Sequence, residues 1–230
     1  MFNFRDIGGV PVDGGAVRLG RLLRSDALAG LTDDERATMR SLGIRTAIDL
    51  REPGERAHLP NGLEEITVHE LPLIDGKLRS LTINLLEFNE WMLEERGAQL
   101  AEVVRRFSAD DGLPGVFFCS SGKDRTGLIA ALILSALGAA DEAVISDYAL
   151  TETLLPDWYI PHAIERALAG GLSEEDVESY VAEGLGSPAS VMEGTLAALA
   201  QHGGAAAFLL AHGLTSSEFE SLRGALVASV

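Results

Sequence analysis

Between Gly115 and Gly138 the chain reads GVFFCSSGKDRTGLIAALILSALG, and no other stretch restricts the fold as strongly. GVFF is short and apolar at every position, the pattern of a strand buried on both faces. The apolar run from Gly127 to Ala140 falls short of a membrane span and predicts a buried helix. A polar loop, CSSGKDR, joins the two. Strands of this kind with helices between them call for an α/β sheet containing parallel pairs and covered by helices.

The flanking sequence extends that sheet. GGVPVDGGAVRLG alternates Gly-rich turns with β-prone runs and predicts a hairpin near the start. LTDDERATMRSLG opens with Thr32 and Glu35 in capping-box spacing and closes at Gly43, so it predicts a helix. IRTAIDL and EITVHELPL are further strands, and helical periodicity runs from about Leu81 to Phe107. From about Ile145 strand signals stop, and four or five short amphipathic helices are expected, with starts at Ser173, Ser187 and Ser216. The expected organisation is one domain of 230 residues. Residues 1–150 form its α/β core and 151–230 a helical extension or lid, with no linker between them.

Cys119 is the only cysteine, so no internal disulfide framework exists and a reducing compartment fits. It sits where a buried strand ends and a helix begins, so free amides and the positive end of the helix dipole face the loop. Gly122 lets the loop curl into an anion-binding concavity. A cysteine in such surroundings, near Arg125, titrates at roughly 3.5–7.5 and is expected to be thiolate near neutrality. Arg125, a short loop away, can swing a planar fork onto two phosphate oxygens while Ser120, Ser121, Gly122, Lys123 and Asp124 line the cradle. That arrangement suits in-line attack on phosphorus, a phosphocysteine intermediate and its hydrolysis, without metal or cofactor. Thr126 is placed to donate a hydrogen bond to the departing sulfur. A Walker-type nucleotide loop does not fit: the upstream Gly is missing and Asp124 stands where Ser or Thr is needed.

NFRDIGG (Asn3 to Gly9), LLRSDAL (Leu22 to Leu28), LGIRTAIDLREPGE (Leu42 to Glu55), CSSGKDRTG (Cys119 to Gly127) and DYALTETLL occur in an order that resembles the atypical bacterial tyrosine/serine protein phosphatases. This family belongs to the cysteine-dependent phosphatases, and the resemblance covers nearly the whole chain. It implies a tyrosine-phosphatase-like fold and hydrolysis of phosphotyrosine, with phosphoserine, phosphothreonine or phosphoinositide activity as well. Lys123 matches members that accept inositol phosphates. The family's upstream acid corresponds to Asp75 in LPLIDGK; Asp124 is the alternative, as acid, as a water-positioning group or as a partner that orients Arg125. Phe118 replaces the usual His before the cysteine, which implies slower turnover.

Arg5, Asp6, Arg24 and Arg51 lie in the matching blocks and read first as structural ion pairs. Trp158 and Tyr159 line a lid or, the preferred reading, pack the extension. The five His (58, 69, 162, 202, 212) lack ligand spacing, so no metal site is expected. The formal charge of −17 repels nucleic acid and anionic lipid in general. The N-terminus lacks a basic start followed by an apolar run, so no signal peptide and a cytoplasmic location are expected. The expected partner is a phosphorylated protein, a small phosphate monoester or a phosphoinositide. Rival readings are a phosphate-binding module without turnover and a sulfur-transfer or redox enzyme.

Overall fold

The computed structural model describes residues 1–74, 84–169 and 171–229. In chain order the elements are β1 (Arg5–Asp6), β2 (Pro11–Val12), β3 (Gly15–Val17), β4 (Leu22–Ser25), α1 (Asp33–Ser41), β5 (Thr46–Asp49), α2 (Pro53–His58) and β6 (Thr67–Glu70). They continue with α3 (Leu85–Glu95), α4 (Gly97–Arg106), β7 (Gly115–Phe118), α5 (Asp124–Ala136), α6 (Asp141–Leu154) and α7 (Tyr159–Ala169). The last are α8 (Val177–Tyr180), α9 (Ala189–Gln201), α10 (Ala205–Ala211), α11 (Ser216–Leu226) and β8 (Val227–Ser229).

The main sheet runs β1-β4-β7-β5-β6, with β4, β7, β5 and β6 parallel and β1 antiparallel at one edge. The apolar GVFF run therefore lies in the middle, between β4 and β5, where neither face meets water. Its side chains alternate as a strand requires. Phe117 enters the large core with α3 to α6 and α9 to α11. Val116 and Phe118 enter a second cluster with Leu23, Ala47 and Met39 of α1. The capping box predicted for α1 is present, Thr32 and Glu35 bonding each other's backbone.

Two elements depart from the sequence pattern. Of the helix expected from Leu81 to Phe107, residues 81–83 lie outside the described residues and the rest is two helices, broken at Arg96, whose φ of −125° and ψ of 15° leave the helical region. Gly97 opens the second, where a side chain would stand 2.1 Å from the His212 ring. The C-terminal region, read as helical throughout, ends in β8. It pairs antiparallel with β3 in a small sheet, Val17 opposite Val227, and the β2–β3 hairpin completes it. Three residues carry too little pattern to announce a strand whose partner lies at the opposite end of the chain. Of the three expected helix starts in that region, Ser173 precedes a 3₁₀ turn, while α9 begins after Pro188 and α11 after a Thr215 capping box.

Helices α9 to α11 share the core of the sheet through Met192, Leu199, Phe208 and Leu222. Residues 152–184 contribute no buried side chain among those described. No single helix among the described residues is long and apolar enough to cross a membrane.

Candidate active site

Cys119 lies at the C-terminal end of β7, 2% exposed, and the loop returns directly into the N-terminus of α5. Gly122 has φ of +67°, and a Cβ there would stand 2.4 Å from the Ser25 carbonyl oxygen, so both conformation and space demand glycine. The loop carbonyls point outward to scaffold donors. Ser120 O accepts from the Ala27 amide (3.1 Å), Ser121 O from Asn3 Nδ2 (2.9 Å), and Gly122 O from Asn3 Nδ2 (3.0 Å) and Arg24 Nη2 (2.7 Å). In a planar trans peptide N–H and C=O are antiparallel, so the amides of Ser121, Gly122 and Lys123 face the other way. Among the described residues these amides have no backbone acceptor. They line the concave side of the loop beside the helix end, an arrangement of donors that suits an anion.

Arg125 points its fork at Glu55 of α2: Nη1 lies 2.7 Å from Oε2 and Nη2 2.8 Å from Oε1. Ser120 Oγ donates to the same carboxylate at 2.5 Å. Burial works to raise the Glu55 pKa, but the Arg125 hydrogen bonds and charge, with Ser120 and the Glu52 amide, outweigh it and hold it at about 2. Burial likewise opposes the Arg125 charge, and Glu55 and Cys119 more than restore it, so its pKa is raised. Glu55 carries no assignment in the sequence reading. Its only signal is its place in the DLREPGE block, where it also serves as the capping residue three positions into α2.

The other predicted residues fall in several places. Lys123 is buried and donates to the carbonyls of Gly184 (2.8 Å) and Gly186 (3.0 Å), so its ammonium faces the extension and its main-chain amide faces the concavity. Asp124 opens α5, where a carboxylate suits the helix dipole, with Oδ1 3.3 Å from Lys123 Nζ. Thr126 Oγ1 is buried with no hydrogen-bond partner among the described residues, sulfur included. Asp75 lies outside the described residues.

Arg5 and Arg24 share Asp147 behind the loop, and Asp6 caps the Gly8 and Gly20 amides. Arg51 grips Asp49 through Nε (2.9 Å) and Nη2 (2.7 Å) and lies 5.4 Å over the Phe118 ring. Phe118 is thus a core residue under a guanidinium, with its own carbonyl accepting from the Leu50 amide. Trp158 is 56% exposed, edge-on both to Phe2 at 5.8 Å and to His162 of α7 at 6.3 Å, so it touches the extension and the N-terminus while much of its ring meets water. Tyr159 is half-buried beside Ser121. Burial, eased by a hydrogen bond with Ser121 and reinforced by the charges of Asp124 and Cys119, pushes its pKa up to about 12. No group of three or more His, Cys, Asp or Glu able to hold a metal occurs among the described residues.

Residues 1–228 match the family described as the tyrosine phosphatase family. A tyrosine-protein phosphatase of Nostoc commune is 28% identical over 220 residues, 90% of this chain and 74% of that protein. The triple specificity protein phosphatase PtpB of Mycobacterium tuberculosis is 29% identical over 194 residues, 67% of this chain and 68% of that one. A Cupriavidus necator protein, also named among tyrosine-protein phosphatases, is 34% identical over 167 residues, 64% of this chain; the match spans 59% of that relative. Among solved structures, Pseudomonas aeruginosa TpbA aligns with a TM-score of 0.40 and 19% identity over 71% of this chain and 88% of its own, a distant likeness. With the family match running over nearly all of its 230 residues, the chain belongs to the tyrosine phosphatase family.

Proposed function

We propose that this chain hydrolyses phosphate monoesters, phosphotyrosine foremost, through a phosphocysteine on Cys119. One observation carries the reading: three consecutive amides are turned to one side of the loop between Cys119 and the N-terminus of α5, with the Arg125 guanidinium held nearby by Glu55 and close enough to Cys119 to feel its charge. Cys119 attacks phosphorus in line, forming the S–P bond as the P–O bond to the leaving group breaks. The amides of Ser121, Gly122 and Lys123 and the Arg125 N–H groups that Glu55 leaves free receive the equatorial oxygens, where negative charge spreads in the loose transition state. Water then attacks phosphorus, the S–P bond breaks, and inorganic phosphate leaves. Thr126 Oγ1, buried and unpaired in the resting protein, is free to turn to the departing sulfur as the S–P bond breaks.

Leaving-group protonation falls to Asp75 or Asp124. Their Asn variants separate the two: loss of the acid slows alkyl phosphates far more than 4-nitrophenyl phosphate, whose leaving group needs little help. Helices α9 to α11 share the core with the sheet, so we read the whole chain as one phosphatase domain and assign the lid role to the coreless stretch 152–184. Dependence on one free thiol suits the reducing cytoplasm.

The test is hydrolysis of 4-nitrophenyl phosphate in excess chelator by wild type and Cys119→Ser. Activity lost in the variant supports the reading; full activity in the variant refutes it. Tight vanadate binding without steady-state phosphate release would instead identify a binding module. Comparing phosphotyrosine, phosphoserine and phosphoinositide rates then sets the substrate class.

A further inference from the structure

Gly122 creates a problem that the cradle must solve. It stands between two loop peptides, and glycine adopts positive and negative φ with similar ease. Nothing in the local backbone therefore prevents the 121–122 or 122–123 peptide from turning over. A flipped peptide would aim a carbonyl oxygen at the phosphate site, replacing attraction with repulsion. The orientation must be imposed from outside the loop.

Asn3 is built for that task. It is fully buried, and its Nδ2 bridges the two carbonyls on either side of Gly122, from a position 118 residues earlier in the chain. Arg5 Nη1 donates to Asn3 Oδ1, which fixes the amide with its nitrogen toward the loop. The Asn3 backbone is anchored in turn, its N–H donating to Asp26 Oδ1 at 3.1 Å. Gly122 O takes its second donor from Arg24, and Asp147 holds Arg5 and Arg24 together. Every hydrogen-bonding group of the Asn3 side chain is thus engaged.

We propose that Asn3 is a positioning residue of the phosphate cradle, holding the Ser121 and Gly122 carbonyls outward so that the Gly122 and Lys123 amides remain aimed at phosphoryl oxygens. This rests on reading the loop as a phosphate site. It assigns to the N-terminal block a part in catalysis beyond folding, exerted through the loop and not by contact with substrate.

The test compares wild type, Asn3→Ala, Asn3→Asp and Thr195→Val. Asn3→Asp keeps the shape but cannot donate. Thr195→Val removes the buried Asn89–Thr195 hydrogen bond far from the loop and serves as a stability control. Melting temperature, orthovanadate affinity by calorimetry, and kcat and KM on 4-nitrophenyl phosphate are measured for each. Both Asn3 variants should lose vanadate affinity and kcat by on the order of 10²-fold, the scale of losing an oxyanion donor. The control should melt lower yet stay within twofold in both. Vanadate affinity within twofold of wild type in either Asn3 variant overturns the proposal, as does failure of both to fold while the control folds. Wild type that binds vanadate without turnover refutes the phosphatase reading, and Asn3 is then judged on affinity alone. Wild type that binds no vanadate refutes both.

Discussion

Replacing Glu55 with Gln removes the charge that faces the Arg125 fork while keeping the side chain's size. With only 22% of its side chain exposed, the carboxylate is not strongly screened by solvent. Its pKa falls from 4.5 to about 2 in the folded protein. At 1.36 kcal/mol per unit, that corresponds to about 3 kcal/mol of folding free energy. Because the folded pKa is the depressed one, the contribution is complete above pH 4.5 and is lost as pH falls from 4.5 toward 2. Glu55→Gln should therefore be less stable than wild type by about 3 kcal/mol at pH 7, in line with the cost of removing one partner of a buried ion pair. The gap should narrow below pH 4.5 and nearly close by pH 2. Urea unfolding of both proteins at intervals from pH 7 to pH 2 measures it directly. At pH 7 the freed guanidinium should also lose its orientation, lowering kcat/KM on 4-nitrophenyl phosphate by roughly 10- to 100-fold. A stability gap that is the same at pH 7 and pH 2.5 would refute the argument, since it would mean that Arg125 does not hold the Glu55 carboxylate ionised.

Two further substitutions probe the loop. Gly122→Ala places a methyl group 2.4 Å from Ser25 O at φ +67°, so it should cost about 1–3 kcal/mol in thermal unfolding and sharply weaken vanadate binding; a variant as stable and as tight as wild type would contradict the described loop. Lys123→Met removes the ammonium that holds the Gly184 and Gly186 carbonyls, so limited proteolysis within 152–184 should speed up severalfold while vanadate affinity falls less than tenfold. A hundredfold loss of affinity with unchanged proteolysis would show that the ammonium serves the phosphate instead.

Local sequence pattern was enough to place the strand, the loop and the buried helix around Cys119, because each is encoded by the burial and backbone preference of neighbouring residues. GVFF admits no wet face, Thr32 and Glu35 cap a helix by themselves, and a glycine in a tight polar loop signals an unusual backbone angle. Arg125 is legible as a candidate on the same ground, since it lies within the loop's own span.

It could not choose partners across the chain. Glu55 meets Arg125 because β5, which leads into α2, lies beside β7 in the sheet order, and nothing near either residue encodes that adjacency. Lys123 resembles a phosphate ligand by position, yet its side chain turns to carbonyls some sixty residues later. The strand Val227–Ser229 exists because β3 offers it an edge, while its own three residues say little. Asn3 reaches the loop because β1 pairs with β4, bringing the N-terminus behind β7. Backbone preference is a property of neighbours in sequence. The choice of hydrogen-bond and charge partners belongs to neighbours in space, and only the folded sheet determines those.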